Sequence, residues 1–143
     1  MDDQTSERPS SSPRLKILVV DDKSDNAEML SLLFRLDGHD SRTAFSGPET
    51  IRTVEVFAPD IVFLDLGLPV MDGYQVAQRL KEMPALKQTM LVALTGHGFL
   101  EDKERTRRAG FDHHIVKPAD LDELQALLLR VAERKAMNRG FLV

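Results

Sequence analysis

Four short apolar runs recur along the chain, and each is bounded by polar residues. They lie at residues 16–20 (KILVV), 61–64 (IVFL), 90–94 (MLVAL) and 113–116 (HHIV). Each run is too short for a helix and is mostly apolar at successive positions, which is typical of strands buried on both faces. A fifth, more polar stretch at residues 39–44 predicts a strand at the edge of the sheet.

The segments between these runs carry apolar residues at helical spacing. The stripes are Ala27, Leu30, Leu33 and Phe34; Ile51, Val54 and Phe57 behind Pro48; Tyr74, Ala77 and Leu80 after Gly73; and Leu121, Leu124, Leu127, Leu128 and Val131. Residues 99–109 are rich in charge and almost without a stripe, so we expect the weakest helix there. Alternating strands and helices predict right-handed crossovers and a parallel sheet covered on both faces.

The composition narrows the classes of protein that fit. The 143 residues suit one domain, and 42% apolar residues are enough for a core. A formal net charge of −4 offers no broad positive field for nucleic acid or anionic lipid. The sequence has no cysteine, which excludes disulfides, cysteine–zinc sites and thiol nucleophiles. We expect a cytoplasmic protein that binds neither nucleic acid directly nor a membrane.

Both ends of the chain differ from the middle. Residues 1–14 are rich in serine and poor in apolar groups, so we expect a flexible tail that is not a secretory signal. Residues 137–143 follow the last stripe and contain Gly140, a plausible helix stop. The folded domain is therefore expected at residues 15–136.

Five polar residues directly follow the predicted strands. Asp21 and Asp22 follow the first, Asp65 the third, Thr95 the fourth and Lys117 the last. The carboxyl ends of parallel strands meet at one edge of a sheet, so we expect these side chains to converge there. An acid after a strand is more often the N-cap of the next helix. Capping, however, does not account for a lysine after the last strand.

Such a cluster suits the chemistry of a phosphoryl group. Crowded carboxylates repel one another, and a set of oxygen ligands favours Mg²⁺ over Zn²⁺. Lys117 and Thr95 could hold phosphoryl oxygens by charge and by hydrogen bond. Asp65 would then be free to attack phosphorus and form an aspartyl phosphate.

The strings VVDD, FLDLGLPVMDGY, ALTG and GFDHHIVKP resemble the receiver domain of two-component response regulators, the CheY-like family. The order and spacing of Asp22, Asp65, Thr95 and Lys117 match that family, and the resemblance covers roughly residues 15–136. It implies a doubly wound, flavodoxin-like α/β fold. In that fold a five-stranded parallel sheet in the order 2-1-3-4-5 is flanked by five helices.

The resemblance also implies a role for each site residue. Asp65 would be the phosphoacceptor, and its phosphoryl group would come from the phosphohistidine of a histidine kinase or phosphotransfer protein. Mg²⁺ would be bound by Asp22, by Asp65 and by the backbone carbonyl of Gly67, with Asp21 acting through a water molecule. The protein would not be an enzyme in the ordinary sense, since it would catalyse only its own phosphorylation and slow dephosphorylation.

A switch is implied as well. Thr95 would move toward the phosphoryl group, Lys117 would pair with it, and His114 occupies the family's aromatic switch position. The bond between Lys117 and Pro118 would be cis. The signal would reach a downstream protein or a second copy through a face made of residues 99–109, 113–116 and 121–136. The domain would be a stand-alone regulator or the receiver of a hybrid sensor kinase.

Three positions depart from the commonest pattern of the family. Gly67, two residues after the phosphoacceptor, places no side chain over the site; His97 and His114 are variants at positions near the hydroxyl and the switch. These departures bear on the phosphoryl lifetime and the strength of the switch.

Two other classes also use parts of this pattern. A magnesium-dependent phosphohydrolase of the haloacid-dehalogenase type forms an aspartyl phosphate, but it needs a second acid where Gly67 stands. A flavodoxin shares the sheet order, but Asp21 and Asp22 would repel the flavin phosphate. The phosphohydrolase remains the alternative to the receiver.

Overall fold

The structure is a computed structural model, and it describes residues 14–96 and 103–138. In these ranges strands and helices alternate from β1 to α5. The strands are β1 (Lys16–Val20), β2 (Asp40–Ala44), β3 (Ile61–Asp65), β4 (Met90–Thr95) and β5 (His113–Val116). The helices are α1 (Ser24–Leu36), α2 (Gly47–Phe57), α3 (Gly73–Lys81), α4 (Lys103–Arg108) and α5 (Leu121–Asn138), with a 3₁₀ turn at Pro84–Leu86 before β4.

The five strands form one parallel sheet in the order β2-β1-β3-β4-β5. The predicted doubly wound, flavodoxin-like fold is therefore confirmed. Because every strand is parallel to its neighbours, all five carboxyl ends lie at one edge, and the loops that follow them share that edge.

Two apolar layers cover the sheet. On one face, β-strand side chains pack with α2 and α3, around Leu18, Leu64 and Leu80. On the other face, they pack with α1 and α5, where the Phe34 and Phe63 rings stack with centroids 5.3 Å apart. Alternate residues of each buried strand thus supply opposite layers, which explains why the strands are apolar at successive positions.

Local signals fix where two helices begin. The Ser46 hydroxyl accepts a hydrogen bond from the Glu49 amide, and Pro48 lies in the first turn of α2. Asp72 and Gln75 form a reciprocal capping box at the start of α3. The α3 cap is important for the site because it sets how this helix approaches the end of β3.

Several predicted boundaries and faces need correction. Leu33 and Leu121, assigned to buried stripes, are 40% and 56% exposed. The last helix continues to Asn138, two residues beyond the predicted domain end. Strands β3 and β4 each extend one residue further, so that Asp65 and Thr95 are their final residues.

Parts of three predictions lie outside the described residues: the tails at 1–14 and 137–143, and the first four residues of the helix predicted at 99–109. The described portion of that last element is α4, which has six residues. None of the helices within residues 14–96 and 103–138 combines the length and the apolar character needed to cross a bilayer.

Candidate functional site

The carboxyl edge of the sheet brings the predicted side chains together. Asp65 and Thr95 end the central strands β3 and β4 and are 8% and 1% exposed. Lys117 follows β5 at the edge of the sheet, and its Nζ lies 3.2 Å from Asp65 Oδ2 and 3.4 Å from Asp21 Oδ2. One ammonium group therefore bridges two carboxylates from different loops.

The acids form a tight cluster of oxygen atoms. Asp21, Asp22 and Asp65 each offer one carboxylate oxygen, and these oxygens lie within 4.8 Å of one another. Asp21 and Asp65 are buried, whereas Asp22 is exposed to solvent. The cluster is thus open on one side, where a hydrated cation could enter.

Backbone donors fix the orientation of two of these carboxylates. The Lys23 amide donates to Asp21 Oδ1 over 3.0 Å, and the Gly67 amide donates to Asp65 Oδ1 over 2.9 Å. Neither acid is a helix cap, since the N-cap of α1 is Lys23 and that of α3 is Asp72. The simple capping explanation for Asp21 and Asp65 is therefore wrong.

Burial and charge shift the acid–base behaviour of the central pair. Burial raises the pKa of Asp65 above the usual aspartate value, and the negative charge of Asp21 adds to this rise; the Gly67 hydrogen bond and the Lys117 charge oppose it without cancelling it. For Lys117, burial lowers the pKa, but the attraction of Asp65 and Asp21 outweighs this effect, so the pKa is raised. Lys117 therefore stays positively charged, and its single charge only partly stabilises the negative charges of Asp65 and Asp21.

This donor set fits Mg²⁺. Its three carboxylates are hard oxygen ligands, and one ammonium group leaves their negative charge only partly balanced. Asp22, Asp65 and the Gly67 carbonyl are the predicted direct ligands, and Asp21 is already engaged by Lys23 and Lys117. An indirect role for Asp21, through water, is consistent with this engagement.

Two buried polar atoms, one on β4 and one on β5, have no hydrogen-bond partner. Thr95 Oγ1 and His114 Nε2 are both buried and unpaired. His114 pairs in register with Ala93, so strand alternation places it on the same face of the sheet as Thr95. A buried donor or acceptor without a partner is costly, and this pair is therefore poised to take up a new partner or position.

The other histidines do not form a metal site in the described part of the chain. His113 Nε2 lies 2.6 Å from Arg130 Nη1 of α5, so it faces away from His114. His39 precedes β2, and its Nδ1 accepts the Leu15 amide. His97 lies outside the described residues. Lys117–Pro118 is cis, as expected.

Glycines keep the approach to Asp65 open. A Cβ atom on Gly67 would meet only Asp65 Oδ1, at 3.5 Å, and one on Gly96 would meet nothing within 4 Å. Gly73 is different, since its Cβ would lie 2.7 Å from Leu66 Cα and 2.8 Å from the Asp65 carbonyl oxygen. The first residue of α3 is therefore seated directly on the backbone of the candidate phosphoacceptor.

Three features of the site region were not foreseen from the sequence. An apolar groove of about 700 Å³ opens beside Asp21 and Lys117, and its walls include Met29, Leu30 and Leu33 of α1 and Leu121 of α5. Val70, in the loop after β3, is fully exposed and has φ +68°, a conformation rare for a β-branched residue. The Arg105 guanidinium lies 3.9 Å from the centroid of the Tyr74 ring. Only the groove had a detectable signal, because Leu30 and Leu33 belong to the apolar stripe of α1.

Comparison with known proteins gives this geometry its context. The family model of the response regulator receiver domain matches residues 17–129. The chain belongs to this family. It is a receiver domain of the kind found in two-component systems, and relatives carry such domains fused to kinases or to regulators.

The relatives illustrate both arrangements. The chain is 32% identical over 136 residues to the sensor histidine kinase RcsC of Salmonella typhi, covering 95% of this chain and 14% of the relative. It is 35% identical over 124 residues to the transcriptional regulatory protein PrrA of Mycobacterium tuberculosis, covering 87% and 52%. The chain thus spans only part of each relative's length.

A solved structure agrees with the fold. The chemotaxis response regulator CheY4 of Vibrio cholerae aligns with a TM-score of 0.75 at 27% identity, over 83% of this chain and 99% of that one. The shared fold therefore supports the carboxyl edge of the sheet as the functional site of this receiver domain.

Proposed function

We propose that this receiver domain accepts a phosphoryl group on Asp65 from the phosphohistidine of a histidine kinase or phosphotransfer protein. The observation that carries the proposal is the environment of Asp65: a buried carboxylate at a strand end, 3.2 Å from the Lys117 ammonium and beside Asp21 and Asp22. The neighbouring Gly67 and Gly96 place no side chain over it. A bulky phosphodonor can therefore approach.

The transfer is a displacement at phosphorus. A lone pair of the Asp65 carboxylate forms the P–O bond while the P–N bond of the donor breaks, and its electron pair returns to the imidazole nitrogen. Lys117 pairs with the negative charge of the transferred group, and the Gly67 amide holds the carboxylate in place. Mg²⁺, when bound by Asp22, Asp65 and the Gly67 carbonyl, supplies further positive charge. The reaction is self-catalysed, and the domain is not an enzyme acting on other substrates.

The switch follows from the two unpaired atoms. A phosphoryl oxygen at Asp65 offers Thr95 Oγ1 the hydrogen-bond partner that it lacks. Movement of Thr95 toward the site changes the space beside His114 on the same face of the sheet, and α4 and β5 adjust. The output face would comprise α4, β5 and α5, and it would bind a downstream protein or a second copy.

The phosphodonor needs a second surface, close to Asp65. The groove between α1 and α5 ends at Asp21 and Lys117 and is mainly apolar along its length. Met29 is 64% exposed and Leu121 56%, so the groove offers apolar area that the fold itself does not bury. We propose that the donor protein contacts this groove while its histidine reaches Asp65, both in a stand-alone regulator and in a hybrid kinase.

Labelling with acetyl phosphate and Mg²⁺ tests the phosphoacceptor. We expect one phosphoryl group per chain, detected by intact mass, and none on Asp65→Asn. Asp37→Asn, which changes an aspartate at the opposite edge of the sheet, should label like the unmodified chain. Label that persists on Asp21 or Asp22 of the Asp65→Asn chain would show that the nucleophile is wrongly assigned.

The phosphohydrolase alternative makes a different prediction. Such an enzyme needs a general acid at position 67, where this chain has a glycine whose amide donates to Asp65. We expect no sustained release of phosphate from a phosphate monoester. Repeated turnover that disappears in Asp65→Asn would favour the hydrolase.

Hydrogen exchange tests the output route. Beryllofluoride, which stands in for the phosphoryl group, should change amide exchange most in Lys103–Arg108 and His113–Val116. A response confined to Ser24–Leu36, with the other two segments unchanged, would contradict the route through Thr95 and His114.

A further inference from the structure

We propose that the stack of Arg105 on Tyr74 is a latch that holds α4 against α3 and restrains the phosphorylation response. The second half of this statement rests on the proposed phosphoacceptor function; the first half does not. The latch connects α4 to the phosphoacceptor through α3, by a path that does not use Thr95 or His114.

The first step of the argument is that α4 needs tertiary contacts to keep its place. The described helix has six residues, far fewer than the roughly twelve to fifteen that make an isolated helix even marginally stable. Five of these six side chains carry charge, and the same five are exposed. The helix therefore has little apolar area with which to anchor itself.

The second step is that α3 provides part of this anchorage. The Arg105 guanidinium lies 3.9 Å from the centroid of the Tyr74 ring, and Tyr74 itself is only 5% exposed. No carboxylate in the described chain lies within ion-pair distance of Arg105, whereas Arg107 and Arg108 both face Glu104. The aromatic ring is thus the partner that distinguishes Arg105 from the other two arginines of α4.

The third step is that Tyr74 directly follows Gly73, the residue of α3 that packs against the end of the phosphoacceptor strand. Its neighbour Gly73 is packed so closely against the backbone of Asp65 and Leu66 that no Cβ atom would fit. The Gly73 amide also donates to the Leu66 carbonyl. A shift of the backbone after Asp65 is therefore transmitted to the Tyr74 ring, and from the ring to Arg105.

The hydroxyl and the ring of Tyr74 have different surroundings, and they can be tested separately. Its oxygen is buried and has no hydrogen-bond partner, although the ring makes the contact with Arg105. The hydroxyl makes no hydrogen bond to Arg105, so substitution can separate the hydroxyl from the ring. Tyr74→Phe keeps the ring, and Tyr74→Leu removes it.

Hydrogen exchange of the unphosphorylated full chain tests the latch. A cation–π contact at an exposed site should change the local opening equilibrium about two- to fivefold. We expect Arg105→Ala to raise the exchange rates of the Lys103–Arg108 amides by this factor, with Ser24–Leu36 unchanged. Arg108→Ala removes an equal charge from the same helix together with an exposed ion pair to Glu104, so it should raise these rates less than Arg105→Ala does. Tyr74→Phe should leave them nearly unchanged.

A double-mutant cycle separates the stack from other effects. Tyr74→Leu also removes core volume, so its effect on α4 is judged against the double variant with Arg105→Ala. In a chain that already carries Arg105→Ala, Tyr74→Leu should add little to the exchange of α4. Equal exchange in Arg105→Ala and Arg108→Ala, or fully additive effects in the cycle, would overturn the latch.

The coupling to phosphorylation has its own measurement. If opening of α4 accompanies the phosphorylated form, Arg105→Ala should raise the apparent affinity for beryllofluoride, by no more than the factor measured in exchange. An unchanged affinity with faster exchange would overturn the coupling and leave the latch as a local contact. Failure of the unmodified chain to bind beryllofluoride would contradict the proposed function instead, and the exchange result would still decide the latch.

Discussion

The helices α5 and α4 lie on either side of β5, and they are held in opposite ways. Helix α5 has eighteen residues and buries Leu124, Leu127, Leu128 and Val131 against the sheet. The described part of α4 has six residues, and its one buried side chain belongs to Thr106. Both helices adjoin the same strand, so the difference shows that one sheet can carry a helix with a large buried face beside a helix with almost none.

The largest loss of stability should come from truncating a buried side chain of α5. Leu128 is 3% exposed, and truncation to alanine leaves a cavity under α5. We expect Leu128→Ala to lower the free energy of unfolding by about 2–5 kcal/mol, measured by urea denaturation. On α4, Arg108→Ala should change it by less than about 0.5 kcal/mol. Similar losses in the two variants would show that α4 is as firmly anchored as α5.

Metal binding should give the next largest change in stability. All of its predicted ligands belong to β1, β3 and their loops, so this change does not depend on either α4 or α5. At about 100 times its dissociation constant, Mg²⁺ should stabilise the fold by about 2.7 kcal/mol. Asp22→Ala should abolish this response without harming the metal-free protein, since Asp22 is exposed and belongs to a group of mutually repelling carboxylates. The measurement is the shift of Tm with MgCl₂, and Glu133→Gln on α5 is the control. A normal shift in Asp22→Ala would disprove the site.

The strands, their order and the convergence of the five polar residues were predictable, because they follow from apolar runs and from the geometry of parallel sheets. The faces of α1 were not. Leu33 has the spacing of a core residue, but the stripe of α1 is wider than the sheet can cover, so Leu33 lines the groove instead. Periodicity identifies an apolar face without telling whether the fold itself or a partner covers it.

The latch and the left-handed Val70 were missed for another reason. The contact between Arg105 and Tyr74 joins residues distant in sequence, and no local pattern encodes it. Val70 adopts φ +68° although no glycine or asparagine announces the turn. Pro69 indicates a turn there, and the Met71 amide donates to the Pro69 carbonyl, but nothing local identifies Val70 as the residue with positive φ.

Two glycines at the site allow a finer comparison between the fixed and adjustable regions. Gly73 abuts the backbone of Asp65 and Leu66, whereas Gly96, after β4, has free space around it. Gly73→Ala should destabilise the fold by about 1–3 kcal/mol because backbone atoms must move. Gly96→Ala should be close to neutral. Thermal unfolding of the two variants measures the difference, and equal effects would mean that Gly96 is as tightly packed as Gly73 at the start of α3.

The smallest change that we expect is a pH-dependent one, at Asp65 itself. The fold raises the pKa of this carboxyl group, chiefly by burying it, so the folded chain binds a proton here more readily than the unfolded chain does. Without metal, the contribution of Asp65 to stability is therefore greatest below its ordinary pKa, and it is lost as the pH rises through the raised value. Asp65→Asn carries no such charge. The variant should be more stable than the unmodified chain at neutral pH in EDTA, and this advantage should shrink as the pH falls into the acidic range.

Urea denaturation at a series of pH values measures the difference in stability between the two chains. Groups that titrate in both chains cancel in this difference. Glu133→Gln, at an exposed position of α5, should show no such trend. If the advantage of Asp65→Asn grew on acidification, the Lys117 ion pair would outweigh burial, and the region around Asp65 would be stabilised by its charges rather than strained by them.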